Sequence, residues 1–251
     1  MDGVSPMALE LLADVFGYQG RHDEALEVAR RQLEMAEASG DDHGVRMATV
    51  NTVLSRLYSG DVSGARAELP PVPAPGSVAP SVRGWFEYLA GEVSLVDDPA
   101  AAEPHLRAAI ATADQVANRF LGGVARVSVA SLLAHSGDEE MATATFASII
   151  DHWRRHGVRT QMSTTLRHLV VLFTRLGEAQ TAAEVLGTVR PDPGRPSGGE
   201  EARRLDEAAT DLAGHLGEAW FDELVALGAG RSLDETAGLC LGALAALGAP
   251  A

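Results

Sequence analysis

A pair of histidines stands at the spacing of metal ligands. His152 and His156 are four positions apart and would share one face of a helix, as metal-ligating histidines often do. Asp151 lies beside them but would point about 100° away on an ideal helix, and the glutamate of an HExxH motif is absent. The pattern therefore predicts that no metal ion is bound.

Other catalytic chemistries lack their residues. All twenty basic residues are Arg, which excludes the Lys of a Walker A loop and of Schiff-base or Ser-Lys catalysis. Cys240 is the single cysteine and lies in an apolar stretch, so we expect it to be buried and inert. The acidic pairs Asp41–Asp42 and Asp97–Asp98 fall at predicted helix joints, where a carboxylate interacts well with a helix N-terminus. We therefore predict a protein that is not an enzyme and uses no cofactor; an all-α enzyme is the least favoured hypothesis.

The charge balance limits the partners. The chain has 251 residues, of which 20 are basic and 35 acidic, a formal net charge of −15. A nucleic-acid groove needs a concentrated basic surface, so direct nucleic-acid binding is not expected. The apolar stretch around Leu239–Ala251 is too short to span a bilayer, and no basic segment followed by an apolar run marks a signal peptide. We expect a soluble, cytoplasmic protein without membrane contact.

Helical periodicity runs through most of the chain. Apolar residues recur at spacings of three and four, and Ala and Leu dominate while aromatic residues make up only 5%. Helix starts are predicted at Ser5-Pro6 and at the capping box Ser232–Glu235. Two Pro-rich stretches, Pro70–Pro80 and Pro191–Gly199, are predicted loops. The fold class is all-α.

Short helix breaks recur at a nearly constant interval. They fall at Gly20, Gly60, Asp97, Gly137 and Gly177, spaced 40, 37, 40 and 40 residues apart. Each break has an Ala five residues after it and a small or β-branched residue seven before it, a separation of twelve positions in all five copies. The five pairs are Ala13 and Ala25, Val53 and Ala65, Ala90 and Ala102, Ala130 and Ala142, and Val170 and Ala182. This register is typical of stacked helix pairs.

The twelve-residue spacing of small residues resembles that of the tetratricopeptide repeat, although the period is near 40 rather than 34. HEAT-like helix pairs have a similar period and are the alternative. The resemblance implies a right-handed α-solenoid of about five helix pairs over residues 1–190, a linker at 191–199, and a C-terminal helical cap at 200–251. Trp220, Phe221, Leu224 and Leu239 are expected to belong to that cap.

A narrower resemblance covers residues 150–247. The runs DHWRRHG, TTLRHLVVLFTRLGEAQTAAEVLG and GEAWFDELVALGAGRSLDETAGLCLGAL resemble the tetratricopeptide-type regulatory region of large actinobacterial transcriptional regulators that carry an ATPase domain. The resemblance implies a non-enzymatic protein- or peptide-binding regulatory module, with a neighbouring ATPase domain among its partners. An autonomous scaffold unrelated to transcription is the alternative, as is homodimerisation through the C-terminal helices.

In a solenoid, the first helix of each pair lines the concave face. Counting ten, six and two residues before each break predicts a groove that is acidic and aromatic at its start and cationic at its end. The polar and aromatic members of that predicted groove are Glu10, Asp14, Tyr18, Tyr58, Glu87, His135, Arg167 and Arg175. An extended peptide or a partner helix would bind along it; the alternative is a surface without a defined ligand.

The segment from His152 to Arg175 contains five Arg residues and no acidic one. Within it, Arg154, Arg155 and Arg159 form a predicted patch for an anionic partner, because guanidinium groups match carboxylates and phosphates. The alternative is that these residues only balance the acidic remainder of the chain.

Overall fold

The computed structural model describes residues 5–190 and 199–248, and most of these residues are helical. This part of the chain contains thirteen α-helices and no strand, which confirms the all-α prediction. The helices are α1 (Pro6–Tyr18), α2 (His22–Ser39), α3 (Asp42–Ser59), α4 (Val62–Glu68), α5 (Pro80–Ser94), α6 (Pro99–Gln115), α7 (Arg119–Ser136), α8 (Glu139–His156), α9 (Arg159–Arg175), α10 (Ala179–Val189), α11 (Gly199–Leu216), α12 (Glu218–Ala229) and α13 (Leu233–Leu247).

The predicted linker at 191–199 lies outside the described residues except for Gly199, which begins α11. Among the described helices, none combines the length and the apolar character that a bilayer span requires.

Acidic and hydroxyl side chains begin many of these helices. Asp41 and Asp98 accept hydrogen bonds from the backbone N–H groups of Gly44 and Ala101, so both predicted acidic pairs do serve helix N-termini. Ser5 caps α1, with Pro6 at its first position, and the predicted capping box of Ser232 and Glu235 is present at the start of α13. Local sequence thus sets these helix boundaries.

Each of the five predicted breaks lies in a turn between two helices. At Gly60, for example, α3 ends and the backbone takes a φ of 94°, a conformation that favours glycine. The small residues flanking the breaks are buried in all five copies, with Ala25, Ala65, Ala102, Ala142 and Ala182 fully enclosed. Small side chains at these positions let the two helices of a pair approach closely.

α4 is the shortest of the described helices and ends one residue before Leu69. Pro70 follows Leu69 directly, and a residue before proline is disfavoured in helical geometry; Leu69 is accordingly extended. The predicted loop then continues to residue 79, and Pro80 instead begins α5. Arg83 holds this loop by donating from its Nε to the carbonyl oxygen of Pro73 at 3.1 Å.

The described helices belong to two compact units. Residues 5–125 and 199–201 lie in the first, and residues 126–190 and 202–248 lie in the second; the divisions fall within α7 and near the start of α11. The core of the first unit gathers residues of α3, α4 and α5, among them Val53, Phe86 and Leu89. The core of the second is larger and is built around Phe146, Trp153 and Phe173.

α12 and α13 pack against α8, α9 and α10 in the second unit. Phe221 and Leu224 are buried there and Leu239 is partly buried, as expected for residues that cover an apolar face. Trp220 was also expected in this cap, but it lies 44% exposed on the outer side of α12. Cys240 is fully buried, and burial raises the pKa of its thiol to about 12, which keeps the thiol protonated.

Candidate functional site

A recess in the second unit brings together three basic side chains from two helices that are separated in sequence. His168 and Arg175 come from α9, seven residues apart on one helix face, and Arg204 comes from α11. Its interior measures about 10 Å³, roughly the room of one water molecule, and the empty space is about 280 Å³ only when the open solvent at its mouth is included. The lining residues that the structure describes are Ser131, Ala134, Phe146, His168, Val171, Leu172, Arg175 and Arg204.

The floor of this recess is apolar and rigid. Phe146 and Leu172 are buried core side chains, and Ser131 adds a hydroxyl that is itself mostly buried. The guanidinium of Arg175 donates from Nη1 to the carbonyl oxygen of Ala134, which fixes one edge of the group. A guanidinium beside an apolar floor, where water is partly excluded, is suited to a carboxylate or phosphate.

The predicted groove residues of α9 behave differently from one another. Arg175 lines the recess, whereas Arg167 lies along its own helix, donating to the Thr164 hydroxyl at 3.0 Å. The side chain of His135 lies outside the described part of the structure, as does that of Tyr18 in the first unit. Arg167 and Arg175 were predicted at the cationic end of the groove, and of these two Arg175 lines a concave site.

In the first unit, Glu87 is enclosed rather than presented to solvent. It is 4% exposed, and its carboxylate accepts hydrogen bonds from Arg83 and lies 2.7 Å from Nδ1 of His105. Tyr58 is at the surface and donates to Glu92 at 3.1 Å. The Glu87 cluster joins α5 to α6 and, through Arg83, to the Pro-rich loop, so its contacts serve folding.

Glu10 and Asp14 lie one turn apart on α1 and are both partly buried. Burial raises the pKa of Asp14 to about 7, and the neighbouring Glu10 carboxylate adds to the rise. Burial also raises the pKa of Glu10 above its usual value, with His43 acting in the opposite direction. The predicted acidic start of the groove is therefore only partly charged near neutral pH.

This raised pKa makes stability depend on pH in a defined direction. In the folded state the Asp14 carboxyl group keeps its proton up to about pH 7, whereas in the unfolded chain it loses the proton near pH 3.8. Asp14 therefore favours folding most at low pH. We expect the Asp14 contribution, on the order of 4 kcal/mol, to be lost as pH rises from about 4 through 7. Urea unfolding at pH 5 and pH 8 measures it. Asp14→Asn should flatten this difference and the exposed control Asp222→Asn should not; equal pH dependence of all three proteins would contradict the assignment.

The predicted anionic-partner patch is exposed. Arg154 and Arg155 lie in the last turn of α8, where cations interact favourably with the helix C-terminus, and Arg159 begins α9. The two histidines of the metal-like pair have ring centroids 4.5 Å apart, and His156 Nδ1 lies 2.7 Å from the carbonyl oxygen of His152. Among the described residues, no group of three or more metal-ligating side chains gathers at this or any other point.

Arg204 and His168 are the site residues that sequence reasoning missed. Arg204 lies in a helix that was assigned only to the cap, and α11 reaches α9 through the tertiary fold, which periodicity does not specify. His168 carried a usable signal, because it stands seven residues before Arg175 on the same helix face.

Comparison with protein-family models, with curated proteins and with solved structures found no match for this chain.

Proposed function

We propose that this chain is a non-enzymatic module that binds an acidic protein segment or peptide. The observation that carries the proposal is the recess whose described lining includes the three basic side chains of His168, Arg175 and Arg204, in a chain of net charge −15. Binding is the chemistry that these residues favour.

The interior of the recess has room for about one water molecule, so a carboxylate or phosphate group would bind at its mouth and leave the rest of the ligand on the surface. Arg175 and Arg204 would bind the anion as fork-like donors, and the apolar floor at Phe146 and Leu172 would pack against the adjoining carbon atoms. This arrangement suits the binding of a carboxylate of a protein partner, either on a side chain or at the end of the chain.

The architecture that we propose for this module is a right-handed α-solenoid of about five tetratricopeptide-like helix pairs with a C-terminal helical cap. It is supported by the turns at the five repeat breaks and by the burial of the small residues on both sides of each break. We further propose that the module regulates a transcriptional regulator or signalling ATPase. It would do so by binding that protein and shifting that protein's conformational equilibrium. An ATPase-coding sequence beside the gene would support that part of the proposal.

The binding proposal is tested with a defined probe. A fluorescein-labelled peptide of alternating Glu and Ala, with a free C-terminal carboxylate, is titrated with the protein and followed by fluorescence anisotropy. We expect Arg175→Glu or Arg204→Glu to weaken binding by at least about tenfold, because hydrogen bonds to charged groups contribute about 1.5–3 kcal/mol.

The matched control is Arg119→Glu, an equal charge reversal at an exposed position that begins α7. It should leave the affinity within about twofold, since exposed charges are screened at physiological salt. Equal affinity of the wild type and the Arg175→Glu/Arg204→Glu double variant would contradict the assignment of the recess as the binding site. So would equal binding of the peptide in which Gln replaces Glu and the C-terminus is amidated.

A further inference from the structure

His105 is a histidine whose ring is hydrogen-bonded on one side and open on the other. Its Nδ1 lies 2.7 Å from Oε2 of Glu87, across the contact between α6 and α5. Glu87 is buried, whereas the His105 side chain is 40% exposed. Because Nδ1 points at the buried carboxylate, the exposed edge of the ring carries Nε2. The described residues give this second nitrogen no hydrogen-bond partner.

The Glu87 carboxylate decides which nitrogen of the neutral His105 ring carries the proton. An ionised carboxylate can only accept hydrogen bonds, so Nδ1 is the protonated nitrogen and Nε2 keeps a lone pair. The other carboxylate oxygen, Oε1, accepts from Nη2 of Arg83 at 2.7 Å. Arg83 is itself held at Nε by the carbonyl oxygen of Pro73. The carboxylate is therefore fixed, and it orients the histidine ring as carboxylates do for histidines at reactive sites.

Two other histidines show what is particular to His105. His156 is also exposed, and its Nδ1 also lies 2.7 Å from an acceptor, but that acceptor is the neutral carbonyl oxygen of His152. His215 is exposed near the end of α11 and has no hydrogen bond within the described part of the chain. A carboxylate differs from a carbonyl because it also stabilises a positive charge on the ring. His105 thus combines an open Nε2 with support for a cationic imidazole.

We propose that Nε2 of His105 accepts a phosphoryl group from a donor with a labile P–N bond, the class to which the phosphohistidine of a partner protein belongs. The Nε2 lone pair attacks the phosphorus, and a new N–P bond forms while the P–N bond of the donor breaks. The electron pair of the broken bond leaves with the donor nitrogen. Because Nδ1 keeps its proton, the phosphorylated ring is cationic, and the Glu87 carboxylate stabilises that charge.

Glu87 acts in this step as a positioning residue, since it holds the ring and does not contact the donor. No base is needed, because no proton leaves the ring. The site lies in the first unit and does not depend on the recess of the second unit. The phosphoryl group would add negative charge beside the Glu87–Arg83 pair, which holds the Pro-rich loop through Pro73.

The test uses phosphoramidate, a small donor with the same P–N bond, whose nitrogen leaves as ammonia. The full chain is incubated with it, and the phosphorylated peptides are measured over time by mass spectrometry at mildly alkaline pH, since phosphohistidine is labile in acid. We expect His105 to react at least about tenfold faster than His156 or His215, because a charged acceptor stabilises the cationic product more than a neutral one does. Phosphorus NMR should place the phosphoryl group on Nε2.

Matched substitutions separate the role of Glu87 from a general effect of charge. Glu87→Gln keeps the shape of the side chain and should slow the reaction at His105 by at least about tenfold, because the charged acceptor is lost. Glu103→Gln removes an equal charge two residues from His105, where Glu103 pairs with Arg107, and should leave the rate within about twofold. Circular dichroism checks that both variants are folded.

The comparison within the wild-type chain decides the proposal even where a variant does not fold. Equal rates at His105 and His156 would show that the ion pair only joins α5 to α6, and would overturn the assignment. A phosphoryl group found on Nδ1 would overturn it as well. So would a folded Glu87→Gln protein whose His105 reacts as fast as in the wild type.

Discussion

Replacing Trp153 by Ala lowers the free energy of unfolding of the second unit by about 3–5 kcal/mol, the range for removing a large buried aromatic side chain. Trp153 is 1% exposed and lies in the core built around Phe146 and Phe173. Its indole N–H donates to the Thr165 hydroxyl at 3.0 Å, and that hydroxyl donates to the carbonyl oxygen of Gln161. The substitution leaves a cavity and removes the hydrogen bond that joins α8 to α9.

Urea unfolding followed by circular dichroism measures this loss, and Trp220 provides the matched control. Trp220 has the same side chain but is 44% exposed on α12, so Trp220→Ala should cost no more than about 1 kcal/mol. Similar losses for the two substitutions would contradict the core assigned to the second unit.

Gly228→Ala is the second substitution with a large expected effect. α10 and α12 cross so closely that a Cβ at Gly228 would overlap the carbonyl oxygen of Glu184 and lie 2.7 Å from its carbonyl carbon. The obstacle is backbone, which cannot move aside as a flexible side chain can. The Thr188 hydroxyl also donates to the Gly228 carbonyl oxygen at 2.8 Å, which ties the helices at this crossing. We expect a loss of about 3 kcal/mol or more in unfolding free energy.

Gly238→Ala is its control within the same unit. Gly238 lies inside α13 with no neighbour within 4 Å of an added Cβ. Because Ala is favoured over Gly in a helix by about 0.8–1 kcal/mol, this substitution should stabilise the protein slightly. Thermal and urea unfolding of both variants check the opposite signs. A Gly228→Ala protein as stable as the wild type would show that the helices do not cross at this distance.

The sequence was sufficient where local chemistry decides the structure. The capping box at Ser232 and the caps at Asp41 and Asp98 follow from side-chain hydrogen bonds to nearby backbone groups. The all-α class follows from residue composition and helical periodicity. Where tertiary contacts decide, the sequence was insufficient. Trp220 and Trp153 are both flanked by helical sequence, yet only the packing of α8 against α9 shows which one is buried.

The candidate site shows the same division. Arg175 was predicted to be at the cationic end of a binding groove, and it lines the recess. Arg204 lines the same recess because α11 packs near α9, although α10 lies between them in sequence. Helical periodicity does not predict such a tertiary contact. Glu87 was predicted at the groove from its register, but the ion pair with Arg83 encloses it. Register gives the helix face on which a residue lies, and neighbouring side chains decide its exposure.

The central claim, that the recess of the second unit binds an acidic protein segment, is tested most directly by mapping the bound probe on the protein. Backbone and side-chain chemical shifts are recorded by NMR while the Glu-Ala peptide is titrated into the isotopically labelled chain. The largest changes are expected at the lining residues Ser131, His168, Arg175 and Arg204, with little change at Arg154 and Arg155. Shifts that concentrate at Arg154 and Arg155, or that are absent throughout residues 126–190 and 202–248, would contradict the account.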